Sequence, residues 1–338
     1  MNATSLALVL LLMRPQSGCM DEDQATQAFF ELMYRHADER AKRFDDGKTK
    51  IAHYTTAENA INIISGKTLW LRNAAVMNDF LEISYGRDCV TTALKGDTIN
   101  MSVLLNDKHP GLAEEVITWL GEVEYAARNH TYLTSFAEHD AEDRLGKLSM
   151  WRAYGGPVAG AAIIFNAEVF QSDNDQLNVF AHPVTYGADE FASLYYNMMR
   201  SIFTNQDLLG MVPRDRAKSV LFHALRDLML TTKHQGFREE EEWRIIHSPF
   251  LFSSAFVQPI VRSPGGVPQV VYTMKLEDQP GLNMPELNLN DLIYRVIIGP
   301  CQHPEQVAHA IDTELVAAGV QNASQRIVCS DIPLRQRG

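Results

Sequence analysis

Four consecutive carboxylates, Glu239 to Glu242, run directly into an apolar stretch that starts at Trp243. If a strand begins near Glu240, then Glu240 and Glu242 lie on one face, two residues apart. Carboxylates held this close raise one another's pKa, and such a pair suits the stabilisation of a cationic, sugar-like transition state. The alternative is a solvated acidic turn whose carboxylates form ion pairs with neighbouring arginines.

Two other short stretches carry groups that suit ligand binding. His53 and Tyr54 are adjacent in a predicted strand, so their side chains point to opposite faces and one can face a cleft while the other packs. A second predicted strand ends in Thr134, Ser135 and Phe136, which offer two hydroxyls and a ring for stacking. The alternative for both stretches is ordinary strand packing, because Thr, Tyr and Phe favour strands.

The spacing of the remaining reactive residues indicates no metal or nucleotide motif. The four cysteines contain no CxxC pair, and the eleven histidines contain no HExxH pattern. Glycine-rich loops of the GxGxxG or P-loop type are also absent from the sequence. We therefore predict no metal site.

Composition and charge favour a globular protein and argue against one that binds nucleic acid through a broad basic surface. The 338 residues include 30 Lys plus Arg and 42 Asp plus Glu, which give a net charge of −12 and argue against a broad basic face for nucleic acid. The apolar fraction of 46% is typical of a globular chain.

The lengths of the apolar runs indicate whether the chain has a membrane-spanning segment or a leader sequence. None approaches the ~20 residues that span a bilayer, so we predict no membrane span. Residues 1–19, which contain the apolar run Leu6 to Met13, are predicted to be a leader or non-native extension before Met20. A cytoplasmic location follows, with a lipoprotein or secretory signal at residues 1–19 as the alternative.

The elements that position these groups alternate irregularly, which favours an α+β class over a doubly wound sheet. Residues 20–338 are predicted to be one domain with a helical insertion near residues 188–235. Helices are expected at 21–44, 111–129, 188–203, 215–234 and 303–318, and a short helix or turn at 148–154. Another helix is expected to open with a capping box at Thr55-Thr56-Ala57-Glu58 and to end at Gly66. Strands are expected at 50–54, 68–72, 131–136, 159–165, 179–186, 243–247, 257–261, 269–276, 294–298 and 325–329.

The order of several short motifs resembles the bacterial family known as domain of unknown function 2971. Each motif is short, and their order over residues 50–250 carries the resemblance. The motifs are His53-Tyr54-Thr55, Leu69-Trp70, Asn78-Asp79-x-x-Glu82, Ser135-Phe136, Met150-Trp151-x-x-Tyr154 and Glu240-x-Glu242-Trp243-Arg244.

The pattern of that family is in turn similar to that of ADP-ribosyltransferases. This similarity implies a split mixed β-sheet core with peripheral helices, and NAD as a consumed substrate. It makes Glu242 the carboxylate that binds the 2′-hydroxyl of the nicotinamide ribose, and Glu240 the one that orients the acceptor. The implied NAD-binding residues are His53, Tyr54, Thr134, Ser135, Phe136, Trp151 and Tyr154, with Tyr54, Trp151 or Tyr154 stacking on nicotinamide.

The expected function is therefore transfer of ADP-ribose from NAD to a macromolecular acceptor, either protein or nucleic acid. Bacterial enzymes of the resembled superfamily are often toxins or defence factors. Cleavage of NAD needs a carboxylate beside the developing positive charge of the ribose and no metal. Two alternatives stay open: a non-catalytic module of the same fold that binds a nucleotide or a partner, and an NAD glycohydrolase that uses water as acceptor.

Overall fold

One mixed β-sheet forms the centre of the fold. The computed structural model describes residues 20–76, 80–96, 101–167 and 176–333. Ten of the strands in these ranges belong to the sheet, in the order β12-β11-β4-β1-β3-β2-β10-β9, with β8 on the other edge of β3 and β5 beyond it. Strands β6 and β7 form a separate parallel pair. The strands are β1 Thr49–Thr56, β2 Thr68–Asn73, β3 Tyr132–Asp140, β4 Gly160–Phe165, β5 Phe180–Pro183, β6 Thr185–Tyr186, β7 Thr232–Lys233, β8 Glu242–His247, β9 Val257–Arg262, β10 Gln269–Lys275, β11 Ile293–Ile298 and β12 Ile327–Cys329.

The sheet divides along β3. On one edge of β3, the C-terminal half pairs with β1, so that Ala52 lies opposite Ala137. The N-terminal end of the same edge pairs with β2, so that Arg72 lies opposite Leu133. Between these pairings, positions 134–136 have no strand partner on that edge within the described chain. A gap between β1 and β2 therefore opens at the backbone of these three residues, while β8 pairs along the opposite edge.

Helices surround the sheet, and local signals account for their ends. Asp21 caps the first helix in a capping box with Gln24. The Thr56 side chain caps the helix after β1, which ends at Gly66 before the left-handed Lys67. The helices are α1 Glu22–Ala41, α2 Ala57–Gly66, α3 Phe80–Gly96, α4 Met101–Asn106, α5 Leu112–Asn129, α6 Leu148–Tyr154, α7 Ala188–Thr204, α8 Gln206–Met211, α9 Arg214–Leu230, α10 Leu289–Leu292 and α11 Pro304–Ala317.

Two large cores lie on the two faces of the sheet. The first joins α1, α3, α4, α5, α7, α8 and α9, with Phe29, Leu105 and Leu225 at its centre, and it reaches β3 at Leu133. The helices predicted as an insertion therefore share their core with helices from earlier segments of the chain. The second core packs α2 and α11 against the sheet, and it contains Phe136.

The mixed α+β class predicted from the sequence is confirmed, but several predicted elements are wrong in extent. The strand predicted to end at Phe136 continues to Asp140, so residues 134–136 lie within β3 rather than at its end. The strand predicted at 179–186 is interrupted at Val184, whose N–H still donates to the carbonyl of Glu242 in β8, because the chain then turns to pair Thr185 with β7. The helix predicted at 215–234 ends at Leu230. The threonines that follow it favour extended backbone, and residues Thr232–Lys233 form β7.

Two predictions fall partly or wholly on residues outside the described ranges, namely the leader at residues 1–19 and the Asn78-Asp79 motif. Within the described ranges, no helix is both long enough and apolar enough to cross a membrane.

Candidate functional site

A pocket of about 370 Å³ occupies the gap between β1 and β2. This volume lies in the range of small-molecule sites. Strands β1, β2 and β3 supply most of its wall, helices α2 and α6 close two sides, and two of the four consecutive carboxylates reach into it. The polar lining residues are His53, Tyr54, Thr55, Thr56, Asn59, Asn62, Thr68, Trp70, Arg72, Thr134, Ser135, Tyr154, Glu240 and Glu242.

Glu242 is a pocket carboxylate that accepts four hydrogen bonds. Its Oε1 accepts hydrogen bonds from Ser135 Oγ at 2.5 Å and from Arg244 Nε at 2.8 Å. Its Oε2 accepts from Lys233 Nζ at 3.1 Å and from Arg244 Nη2 at 3.3 Å. Ser135 reaches Glu242 because the two strands place Ser135 opposite Arg244, so that all three side chains share one face.

The parallel pair β6–β7 supports this carboxylate from behind. The pairing sets Tyr186 opposite Lys233. Tyr186 Oη accepts a hydrogen bond from the backbone N–H of Glu242 at 2.7 Å, which fixes the first residue of β8. Arg244 is anchored in turn by donation to the carbonyl of Leu230 at 2.7 Å, at the C-terminal end of α9.

The charges around Glu242 determine its protonation state. Burial by itself raises the pKa of this carboxyl, but Arg244, Lys233 and the Ser135 hydroxyl lower the pKa to about 2. The expected mutual elevation of carboxylate pKa values is therefore wrong for Glu242, because two buried cations outweigh it. Glu242 is an anion at every physiological pH.

Glu240 reaches the same place by another route. A strand that began near Glu240 would have placed Glu240 and Glu242 on one face, but this condition is not met. Glu240 ends a 3-10 turn, Glu241 adopts a left-handed conformation with φ of 45°, and β8 starts at Glu242. The two carboxylates are joined instead by Lys233, whose Nζ lies 2.7 Å from Glu240 Oε2. Tyr154 Oη donates to Glu240 Oε1 at 3.2 Å.

The other two carboxylates of the acidic run lie outside the pocket. Glu239 and Glu241 are exposed. Glu241 pairs with Lys147 at 2.6 Å. The ion pair to Arg244 that the alternative interpretation expected does form, but with the buried Glu242 rather than with a solvated turn, and Arg238 pairs with Glu190.

His53 lies on the β1 wall beside Ser135. Its Nδ1 is 3.0 Å from the carbonyl oxygen of Ser135, and its ring centroid is 5.5 Å from that of Phe136. Burial lowers the pKa of His53, so the ring is neutral at physiological pH. Because a carbonyl oxygen can only accept, Nδ1 carries the proton and Nε2 is the acceptor.

The aromatic residues predicted to bind a ligand divide into two groups. Tyr154 lines the pocket, and Tyr54 lines it while packing edge-on against Trp151 at 4.8 Å. Trp151 itself is buried outside the lining, and its Nε1 donates to the carbonyl of Leu145. Phe136 contributes to the wall, although its side chain is only 2% exposed and packs in the second core.

Three basic residues important to the pocket were not predicted as site residues. Arg244 belongs to the Glu240-x-Glu242-Trp243-Arg244 motif, but the motif gave it no role in the site. Lys233 is isolated in the sequence at the end of a long helical pattern, and no local signal marks it. Arg72 lies on the polar face of the alternating β2 pattern, and a charged residue there is typical of any solvent-exposed strand position.

A comparison with family models gives one match, to a family described as a protein of unknown function (DUF2971), over residues 150–245. The matched segment runs from α6 to β8, so it includes Glu240, Glu242 and Lys233 but not His53 or Ser135. The curated proteins and the solved structures give no match. In the part of the chain that the structure describes, no group of three or more His, Cys, Asp or Glu side chains could hold a metal ion.

Proposed function

We propose that this protein consumes NAD and transfers its ADP-ribose to a macromolecular acceptor, as ADP-ribosyltransferases do. The observation that carries this proposal is the 2.5 Å hydrogen bond between Ser135 and the ionised Glu242, beside a pocket that opens where the sheet divides. A carboxylate fixed in this way matches the role that the resemblance implies for Glu242, which is to hold the nicotinamide ribose by its 2′-hydroxyl.

The reaction breaks the bond between C1′ of the ribose and the nicotinamide nitrogen. Nicotinamide leaves with the bonding electron pair and becomes neutral, and the ribose develops positive charge at C1′. A nucleophile of the acceptor then bonds to C1′ and gives up one proton. The products are nicotinamide, ADP-ribosylated acceptor and that proton.

The protonation state of Glu242 favours this leaving group over an ordinary sugar alcohol. Glycoside hydrolysis needs a protonated carboxylic acid to donate to the leaving oxygen. Glu242, with its pKa of about 2, has no proton to give at neutral pH. Nicotinamide needs none, because it departs as a neutral ring. Glu242 would act by electrostatic stabilisation of the charged ribose.

The other lining residues take supporting roles in this proposal. Glu240, held by Lys233 and Tyr154, would orient the acceptor and take its proton. His53 presents a neutral ring whose Nε2 accepts a hydrogen bond from a ribose hydroxyl. Tyr54 and Thr134 complete the wall against which the nucleotide packs.

Labelled NAD tests the proposal directly. The protein is incubated with NAD labelled in its adenylate phosphate, together with total RNA, DNA or protein fractions, and free nicotinamide is measured by chromatography. We expect Glu242→Gln to lower nicotinamide release by about 100- to 1000-fold, because it removes the fixed negative charge beside C1′. The matched control Glu241→Gln neutralises an exposed carboxylate outside the pocket and is expected to leave the rate unchanged.

Equal turnover by Glu242→Gln and the wild type would refute the proposed role. The label also separates transfer from hydrolysis. Label on a macromolecule indicates transfer, whereas nicotinamide release with only free ADP-ribose indicates an NAD glycohydrolase with water as acceptor.

One observation favours a second function, a binding module that holds a nucleotide without cleaving it. Glu242 is only 4% exposed, and its two oxygens already accept four hydrogen bonds. A ribose hydroxyl must displace one of the two longer contacts, from Lys233 or from Arg244 Nη2. Calorimetric binding of NAD with no nicotinamide released would establish this alternative.

A further inference from the structure

Arg72 projects from β2 into the pocket. The side chains of β2 alternate. Leu69 and Leu71 are buried in the second core, although Leu69 also borders the pocket, whereas Thr68, Trp70 and Arg72 are partly exposed and line it. Arg72 Nε is buried and has no hydrogen-bond partner among the described residues. An unpaired, desolvated donor of this kind carries a free-energy penalty unless a ligand satisfies it.

The charges of the pocket leave Arg72 uncompensated. The charged residues of the lining are Glu240, Glu242 and Arg72. The two carboxylates are paired with the buried cations Lys233 and Arg244. One positive charge therefore remains, and it belongs to Arg72. Burial lowers the pKa of Arg72, but the group stays charged at any physiological pH.

The register of β3 gives the spacing between Arg72 and the carboxylates. Arg72 lies opposite Leu133 on one edge of β3, and Glu242 lies opposite Ala137 on the other edge. Four strand positions separate the two partners, which is about 14 Å along the strand. The two side chains cannot pair with each other, and they approach the pocket from opposite ends. A ligand that contacts both must therefore be extended, with a sugar at one end and an anion further along.

We propose that Arg72 binds the diphosphate of the nucleotide that occupies this pocket. The inference rests on the proposed function for the identity of the nucleotide as NAD, with the nicotinamide ribose at Glu242. The guanidinium is suited to this role because its planar donors match phosphate oxygens in a bidentate geometry. The excess positive charge of the pocket also balances the diphosphate in part.

Calorimetric titration of the full chain tests this inference with three probes: ADP-ribose, adenosine and inorganic pyrophosphate. The variants are Arg72→Gln, Arg72→Lys and the control Arg262→Gln. The guanidinium of Arg262 is exposed and lies 6.0 Å from the Trp70 ring, outside the lining. We expect Arg72→Gln to weaken ADP-ribose by about 10- to 100-fold and adenosine by less than about 2-fold. Arg72→Lys should recover part of the loss, and the control should bind like the wild type.

Thermal unfolding shows whether the Arg72 variants are folded. Because Nε of Arg72 is buried without a hydrogen-bond partner among the described residues, loss of the side chain should leave the Tm unchanged or raise it. Unaltered ADP-ribose affinity in folded Arg72→Gln would overturn the inference, as would a wild type that binds none of the phosphate probes. The proposed function fails separately: Arg72-dependent binding of ADP-ribose without nicotinamide release would contradict catalysis alone. Nicotinamide release with an unchanged KM for NAD in Arg72→Gln would contradict the role of Arg72 alone.

Discussion

The substitution Lys233→Met gives a sharp test of how the two pocket carboxylates are held. Lys233 is 1% exposed and contacts Glu240 at 2.7 Å and Glu242 at 3.1 Å. Methionine keeps an aliphatic side chain of similar length but removes the ammonium group. The variant therefore removes a buried cation that contacts both carboxylates.

Burial determines the expected size of the effect. Breaking a buried ion pair by removing one partner costs about 3–5 kcal/mol, because the other charge stays desolvated and unpaired. A free energy of unfolding of about 5–15 kcal/mol leaves most such variants folded. The matched control is Lys147→Met, which removes a contact of 2.6 Å to Glu241. The side chains of that pair are 24% and 49% exposed, so its loss is expected to cost at most about 1 kcal/mol.

Urea denaturation followed by circular dichroism measures both variants at pH 7. The double variant with Glu240→Gln completes a cycle, and we expect it to be more stable than the sum of the single losses predicts, by about 0.5–3 kcal/mol. A loss for Lys233→Met no larger than that for Lys147→Met would refute the reasoning. Additive losses in the cycle would show that Lys233 does not act through Glu240.

Two further predictions concern stability away from the pocket. Burial lowers the pKa of His36 from 6.5 to about 4. As the pH falls, His36 is therefore protonated first in the unfolded chain, and the free energy of unfolding falls from pH 6.5 towards pH 4. Urea titrations at pH 7 and pH 5 should show that His36→Asn reduces this slope by about 1.4 kcal/mol per pH unit. Gly86→Ala would place Cβ 2.0 Å from the carbonyl oxygen of Met229 and should lower the free energy of unfolding by about 1–3 kcal/mol. Gly121→Ala, whose Cβ would meet no atom within 4 Å, should instead stabilise α5 by about 0.5–1 kcal/mol. Equal Tm shifts for the two variants would contradict this prediction.

Much of the secondary structure could be predicted because its signals are local. The helix at 148–154 and the strand pair at 257–261 and 269–276 follow from periodicity and from turn residues between them. The predicted bounds were wrong where tertiary contacts, rather than local sequence, determine the backbone conformation. Residues 232–233 continue an apparent helical pattern, yet they form β7 because β6 offers an extended partner there.

The candidate site was likewise predicted from the sequence only in part. His53, Ser135, Glu240 and Glu242 were named from residue type and order, and the structure brings all four to one pocket. Trp151 was named for the same reasons and is a core residue instead, because an aromatic side chain has the same sequence signature in either place.

The sequence by itself determined the α+β class, most element positions and the presence of an acidic run at a strand start, since each depends on neighbouring residues. Only the tertiary structure decided which of the four carboxylates face the pocket. That choice depends on the left-handed turn at Glu241 and on two cations. Lys233 belongs to the separate β6–β7 pair, and Arg244 shares the face of Glu242 on β8. The tertiary structure also decided that Arg72 Nε has no hydrogen-bond partner among the described residues, because a buried donor is paired or unpaired through residues distant in the chain.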